Sequence, residues 1–518
     1  MAVTNTTRTD EQTKKTSLES TQQQQPIPPL APNLTASSSS TREKEEGDSL
    51  LHSPNTTNAT KEASDNNSTQ PIRPNIIFLY TDQQSAGMMG CAGNKWLKTP
   101  AMDYLAKNGI RFTRAYTTNP VCVAARIGMM TGRFASAIPT ANGQPVRDNN
   151  SGRRVSRISD KVNSTTLGSW MKQSGYDLVY GGKEHLPKPL RPARHGFEIL
   201  SSNEREQLAR KAATYIQNPH DRPYFMWLNF INPHDICYMA IYGFPETEQE
   251  ISRMKKASGE LRQAMSLPKN VSQDEFFDKH CPPLPPNYEP QEDEPRAIGK
   301  LLDATDKSYR RKARESASER DWRRHRWAYA RLTEMVDKQV QQVLDAVKAS
   351  GQEENTLIIF SSDHGDMDAS HRLEQKNTLY EEAANVPLLM MWKGRLEAGK
   401  VDSAHLVSNG LDLLPTFCDY AGLLCRSDPR GRSLRPLLEG RGVHWRQTLG
   451  VDSQIGRMVV SEDGYKYIRY DFDGVEEQLL DLNKDPREKT HFTNSEEHKG
   501  RLDDIRKAFQ DEWFPITK

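Results

Sequence analysis

Four continuous apolar runs, each closing on polar residues, constrain this chain more than any other feature. Asn75-Ile76-Ile77-Phe78-Leu79-Tyr80 ends in Thr81-Asp82-Gln83-Gln84. Residues 176–180 lead into Gly182-Lys183-Glu184-His185, residues 224–230 into Asn232-Pro233-His234, and residues 355–360 into Ser362-Asp363-His364. A strand with one wet face alternates apolar and polar residues. A run that is apolar throughout fits a strand buried on both faces, as in a parallel sheet covered by helices. Helical patterns lie between the runs. Pro100 opens one that continues through Ala106 and stops at Gly109, before an extended piece at 110–112. The clearest helix spans 327–348, with Leu332, Val336, Val340, Val343 and Leu344 near helical spacing. Such alternation predicts an α/β sandwich with a central, mostly parallel sheet flanked by helices. Ligand sites in these sheets lie beyond the carboxyl ends of the strands, where Asp82, Gln83, Lys183, His185, His234, Asp363 and His364 fall.

The pattern does not run the whole length. Residues 1–72 lack Phe, Tyr, Trp and Cys and are rich in Ser, Thr, Asn, Gln, Glu and Pro. A segment so poor in apolar surface cannot offset its chain entropy, which predicts a disordered tail. Residues 73–440 read as the main domain. Within it, the charged stretch 240–325 with its Pro-rich loop at 281–286 interrupts the rhythm, either as a rim insertion shaping the entrance or as a solvated excursion. After Gly440, strand-like pieces at 458–460, 465–470 and 478–482 alternate with the turn signals Asp463-Gly464 and Asp473-Gly474, and an amphipathic stretch at 499–513 follows. Residues 441–518 are therefore expected to form a small antiparallel sheet with a terminal helix.

Lys plus Arg total 70 against 69 Asp plus Glu, a net charge of +1, so no overall field attracts nucleic acid or a membrane surface. An anionic ligand would have to be held by locally placed cations. No apolar run reaches the length of a membrane span, and the N-terminus lacks the basic-then-apolar pattern of a secretory signal. Six scattered cysteines make no disulfide framework in a chain of this size. Cys418 and Cys425 are read as reduced thiols, with pairing as the alternative for an exported protein.

The sequence Cys122-Val123-Ala124-Ala125-Arg126-Ile127-Gly128-Met129-Met130-Thr131-Gly132-Arg133 places a cysteine and an arginine four residues apart, on one face of a short helix. A helix N-terminus beside an arginine is suited to an anion. Alone, this would equally be a packed thiol and a surface arginine. The spacing resembles the Cys-x-(Pro/Ala)-x-Arg-x-x-x-x-Thr-Gly signature of the type I sulfatases, in the alkaline-phosphatase-like superfamily, and the resemblance extends from Pro74 to the C-terminus. Asp82-Gln83 resembles the family's first metal pair, Gly182-Lys183-Glu184-His185 its Gly-Lys-x-His element, and Pro233-His234 its Pro-His element. Asp363-His364-Gly365, His371 and Lys376 resemble its second metal segment and trailing lysine, and 465–467 with 481–486 its C-terminal subdomain.

The resemblance implies a sulfuric-ester hydrolase acting on a sulfated substrate, a sulfated carbohydrate above all. It implies that Cys122 is oxidised to formylglycine by a maturing enzyme, which here must accept Ala124 and Ala125 where relatives often carry Pro and Ser. A divalent ion, Ca²⁺ by resemblance with Mg²⁺ or another ion as alternatives, would be held by Asp82, Gln83, Asp363, His364 and residue 122. Hard oxygen donors suit these ions, whereas the imidazole of His364 suits softer ones. Arg126, Lys183 and Lys376 would supply cations to the sulfate oxygens. The resemblance gives His234 the leaving-group proton and His185 the proton of the second hydroxyl of the covalent intermediate. His371, Asp366 and Asp235 are expected to shape the pocket or pack, and Lys376 has a competing reading as the cap of a helix at 379–384. Two other functions remain open: a phosphate or phosphonate ester hydrolase, and a non-catalytic sulfated-glycan binder with an unmodified Cys122. The compartment is open too, cytoplasmic by sequence and exported by family analogy.

Overall fold

The computed structural model describes residues 73–514 apart from 206, 240–251, 253–258, 304–308, 426–427 and 472–474. The tail expected over 1–72 and the turn at Asp473-Gly474 lie outside the described residues. Strand β1 (Asn75–Asp82) is followed by β2 (Ile110–Phe112), β3 (Ala115–Tyr116), β4 (Asp177–Gly182), β5 (Glu198–Ser201) and β6 (Tyr224–Pro233). Then come β7 (Thr356–Ser362), β8 (Leu388–Met391), β9 (Lys400–Asp402) and β10 (Val407–Ser408). Eight of them form one sheet in the order β5-β4-β6-β1-β7-β8-β2-β9. All neighbours in it are parallel except those of β8, which runs antiparallel to β7 and β2. The mostly parallel α/β sandwich expected from the sequence is the observed fold.

Both faces of the centre are buried, which explains why its strands read as unbroken apolar runs. Ile76, Phe78 and Tyr80 pack with Ile127, Met130, Leu413 and Phe417 on one side. The intervening Ile77 and Leu79 pack with Leu208, Ala212, Val336, Val340, Val343 and Val347 on the other. The helices Cys122–Thr131 and Asn409–Tyr420 thus cover one face, and Leu208–Gln217 and Glu319–Ala349 the other. The last of these starts eight residues before the periodic stretch at 327–348. Ser318 and Asp321 form a reciprocal capping box there, so cap chemistry rather than apolar spacing sets its start.

Four strands, β11 (Thr448–Ser453), β12 (Gly456–Ser461), β13 (Tyr465–Asp471) and β14 (Val475–Asp481), make an antiparallel meander. Three were legible, and β11 was not. Val459, Tyr467 and Leu479 face the helix Lys499–Trp513 through Leu502, Ile505 and Phe509. Leu449, Val451, Met458, Ile468 and Leu480 face Tyr116, Leu379, Tyr380 and Leu406 of the main body. Cys418 and Cys425 form a disulfide, contrary to the reduced reading. Cys418 sits in the last turn of its helix and Gly422, at φ 78°, turns the chain back, a reversal that sequence spacing does not reveal. Among the described residues no helix is long and apolar enough to cross a membrane.

Candidate active site

The polar ends of β1, β4, β6 and β7 converge. Asp82 is the last residue of β1, Lys183 follows β4, His234 follows β6 and Asp363 follows β7. Gly182, at φ 88°, lets β4 lie so close to β6 that a side chain there would meet the Asn229 carbonyl. That close approach delivers Lys183 to the site. The helix Cys122–Thr131 begins at Cys122 and ends at Gly132, whose φ of 62° is the left-handed conformation that favours glycine. The Thr-Gly pair therefore sets the length of the helix that carries Cys122 and Arg126.

Ligand atoms of Asp82, Cys122, Asp363 and His364 all lie within 4.8 Å of one another, and all four residues are buried. His364 Nε2 is 3.2 Å from Cys122 Sγ and 3.5 Å from Asp363 Oδ1. Its Nδ1 is 2.8 Å from the Gly365 carbonyl oxygen. A carbonyl only accepts, so Nδ1 carries a ring proton, and Nε2 is the nitrogen turned toward Cys122 and Asp363, the one a metal would take. Burial and the charge of Asp82 push Asp363 up to about 7. Burial also disfavours ionised Asp82, but Lys183, His234 and Arg126 outweigh it and hold that carboxyl well below its ordinary value. Two buried carboxylates and an imidazole gathered around residue 122 are a donor set that a divalent cation fits. Gln83, expected as a ligand, accepts from Lys376 Nζ through Oε1 at 2.7 Å and donates through Nε2 to Asp366 at 2.6 Å. Its backbone, at φ 71°, is held by an N–H bond to Asp363 and by the Tyr329 hydroxyl on its carbonyl.

Arg126 differs from expectation. The i, i+4 spacing placed its guanidinium against the Cys122 side chain. Instead, Nε donates to Asp363 Oδ2 and Nη2 to Asp82 Oδ2, both at 3.0 Å, and Nη1 donates to Asn229 Oδ1 at 2.8 Å and to the Lys183 carbonyl at 3.2 Å. Every guanidinium nitrogen is committed to the scaffold of the site. Asn229 was missed by sequence reasoning, although an asparagine inside the apolar run 224–230 was a usable signal, since a buried amide needs partners.

The cations that face residue 122 are Lys376 and Lys183. Lys376 Nζ lies 3.1 Å from Cys122 Sγ, which removes the helix-capping alternative; the helix Glu381–Ala384 has Tyr380 at its N-cap position. Lys183 Nζ is 2.6 Å from Asp82 Oδ2. Burial would raise the Cys122 thiol, but Lys376, Lys183 and His364 hold it well below its ordinary value. The position thus stabilises a negative charge. His185 and His234 stand on the cleft side. Burial, reinforced for both by Lys183, lowers His185 and brings His234 down to about 4. Arg153, which the sequence did not single out, places Nη2 3.2 Å from His185 Nε2.

Lys183, His185, His234 and Lys376 line a cleft of about 910 Å³, together with Asn149, Arg153, Tyr309 and Gln454. Lys300, Leu301 and Tyr309, from the 240–325 stretch, lie in its wall. Asp366, Asp235 and His371 lie outside this lining: Asp366 bonds Gln83, Asp235 pairs with Arg205, and His371 stacks on Tyr380 at 4.5 Å.

Residues 74–423 match the family model described as Sulfatase, and residues 369–512 one described as N-sulphoglucosamine sulphohydrolase, C-terminal. The chain is 28% identical over 471 residues to a Delta 4,5-hexuronate-2-O-sulfatase of Bacteroides thetaiotaomicron, covering 85% of this chain and 90% of that protein. It is also 28% identical over 471 residues to an arylsulfatase of Clostridium perfringens, with 84% and 93% covered. Among solved structures it resembles a 2-O GAG sulfatase at a TM-score of 0.69 and 26% identity, over 85% of this chain and 92% of that one.

Proposed function

This chain belongs to the sulfatase family, and from that premise we propose that it releases inorganic sulfate from a sulfated carbohydrate with a nucleophile made from Cys122. The observation that carries the reading is the convergence on residue 122 of a metal-sized donor cluster from one side and of Lys376 from the other. Relatives named for sulfated sugars support the carbohydrate class. Oxidation of Cys122 to formylglycine, by a maturing enzyme that accepts Ala124 and Ala125, would supply a hydrated aldehyde whose hydroxyl attacks sulfur. A divalent cation, Ca²⁺ in our reading, would be held by Asp82, Asp363, His364 and residue 122, with Gln83 as a further oxygen donor, and would lower the pKa of that hydroxyl.

The chain's own residues do the rest. Lys183 and Lys376 present fixed positive charge to the sulfate oxygens from largely buried positions, where preorganised cations act most strongly. Arg126 holds Asp82 and Asp363 in place and makes no contact with the cleft. His234, on the cleft side at the end of β6, is placed to protonate the departing alcohol. A bound anion favours its charged form and offsets the lowering caused by burial. His185, neutral in this setting, is placed to take the proton whose loss expels sulfate.

The test is mass spectrometry of the Cys122 peptide from protein made in its native host, with aryl sulfate turnover of the Cys122→Ala variant alongside. We expect a mass for CHO in place of CH₂SH and loss of turnover with the fold retained. An alkylatable thiol in active enzyme, or a fully active Cys122→Ala, refutes the assignment.

A further inference from the structure

Lys376 reaches residue 122 from a stretch of backbone that does not hold its shape unaided. Its neighbours Gln375 and Asn377 stand at φ 63° and 82°, a left-handed conformation that a residue with a side chain rarely adopts without outside support. Elements far apart in the sequence hold the segment. Asn377 N donates to the Pro120 carbonyl at 3.0 Å, just before the nucleophile helix. Ser453 at the end of β11 donates to the Asn377 carbonyl at 2.7 Å. Gln375 Nε2 donates to the Tyr309 hydroxyl and to the Cys237 carbonyl, both at 3.0 Å.

A further tie is Arg310, next to Tyr309 on the helix Tyr309–Ser316, within the 240–325 stretch. Its Nη2 donates to the Glu374 carbonyl at 2.7 Å and to the Lys376 carbonyl at 3.3 Å. The side chain is 0% exposed, and among the described residues its Nε and Nη1 have no hydrogen-bond partner. The Glu374 carboxylate is 4.0 Å away. A guanidinium so deeply buried and so incompletely paired is an expensive choice for packing alone. What it does make is a clamp on the two carbonyls that bracket the approach to Lys376.

We propose that Arg310 is a positioning residue for Lys376, so that the stretch 240–325, besides forming part of the cleft wall, sets the geometry of the sulfate-holding cation. The proposal rests on the reading of Lys376 given above. It also predicts that sequence changes in this stretch alter turnover and sulfate affinity as well as substrate choice. A misplacement of about 1 Å in a charged group is enough to lower rate strongly.

The experiment compares Arg310→Met, Arg310→Lys, Lys376→Met and the double variant Arg310→Met/Lys376→Met, each with its thermal melt. Two quantities are read: kcat with an aryl sulfate, and the inhibition constant of inorganic sulfate, which reports the anion site without chemistry. Arg310→Met should lower kcat and weaken sulfate inhibition by about tenfold, the scale of one misplaced charge-assisted bond. Arg310→Lys should recover part of both. In the double variant Arg310→Met should add nothing beyond Lys376→Met, because both act through one ammonium group. If Lys376→Met is damaged while Arg310→Met matches the parent, or if the two losses multiply, the positioning role is wrong and Lys376 keeps its own. If Lys376→Met leaves both quantities unchanged, the reading of Lys376 falls and the proposal with it. Should Arg310→Met fail to melt cooperatively, Arg310→Gln takes its place in the same comparison.

Discussion

Arg126→Lys is the substitution that separates a scaffold role from an anion-binding role most sharply. A guanidinium that merely lent positive charge to sulfate would be replaced fairly well by an ammonium. The structure assigns it other work. Three nitrogens make four contacts, two of them to the carboxylates of Asp82 and Asp363 at 3.0 Å and two to Asn229 and the Lys183 carbonyl. The ammonium of lysine has three donors on one atom and cannot span two carboxylates from a fixed helix position. At least one carboxylate bond and one neutral bond are lost. A bond between charged groups contributes about 1.5–3 kcal/mol and one to a neutral acceptor about 1 kcal/mol, so the site loosens by about 2.5–4 kcal/mol. If that loosening is felt in full where the carboxylates hold the metal, kcat/KM falls by about 70- to 1,000-fold. The assay is initial-rate hydrolysis of an aryl sulfate across a range of Ca²⁺ concentrations, with circular dichroism to show that the fold is kept. The requirement for the ion should rise along with the loss of rate. A folded Arg126→Lys enzyme within about threefold of the parent at every Ca²⁺ concentration refutes the reasoning, because bonds of this strength cannot be lost at so small a cost in rate.

Two further outcomes follow from the same geometry. His185, lowered below the ordinary histidine value of 6.5 by burial and by Lys183, acts as a base only when neutral. That step is therefore full above its pKa and lost as pH falls through it, so the rate of sulfate release from the intermediate, followed in single turnover, should have its acid limb below 6.5; a limb centred above 6.5 assigns the base elsewhere. The cluster of Asp82, Cys122, Asp363 and His364 should make turnover depend on a divalent ion. Dialysis against a chelator should abolish hydrolysis and added Ca²⁺ restore it, while full activity in the chelated protein removes the metal assignment.

How much could be seen beforehand depended on where each residue's surroundings come from. The strands β1, β6 and β7 were legible because burial on both faces leaves an unbroken apolar signature, and their polar ends then marked Asp82, His234 and Asp363. The helix Cys122–Thr131 was legible from its Thr-Gly stop. Strand β11 was not, because Gly450 and Asp452 break the apolar pattern over a piece of six residues. Arg310 was illegible in a different way. It stands in Tyr309-Arg310-Arg311-Lys312, a run that reads as a solvated face. The structure pairs Arg311 with Asp303 and Glu315 at the surface but turns Arg310 inward. Local pattern cannot distinguish two adjacent arginines when a segment some 65 residues away, 374–376, decides which one is buried.

The same distinction applies to the three cations that the sequence grouped as a single set. Arg126, Lys183 and Lys376 would each be written down as positive charge for an anion, but their partners divide them. Arg126 is committed wholly to the scaffold, two carboxylates and two neutral oxygens, Lys183 is shared between Asp82 and the cleft, and Lys376 points at residue 122 itself. A metal drawn into the carboxylates would compete with Lys183 for Asp82 and leave Lys183 freer to meet the substrate. Arg126 has no such freedom, since its planar fork is matched on every side. The rank order of damage on charge removal should therefore separate by readout. Loss of Lys376 or Lys183 should weaken the grip on inorganic sulfate, whereas loss of Arg126 should weaken the grip on Ca²⁺ first. An Arg126 variant that loses sulfate affinity while keeping its Ca²⁺ affinity would place the guanidinium on the substrate side after all.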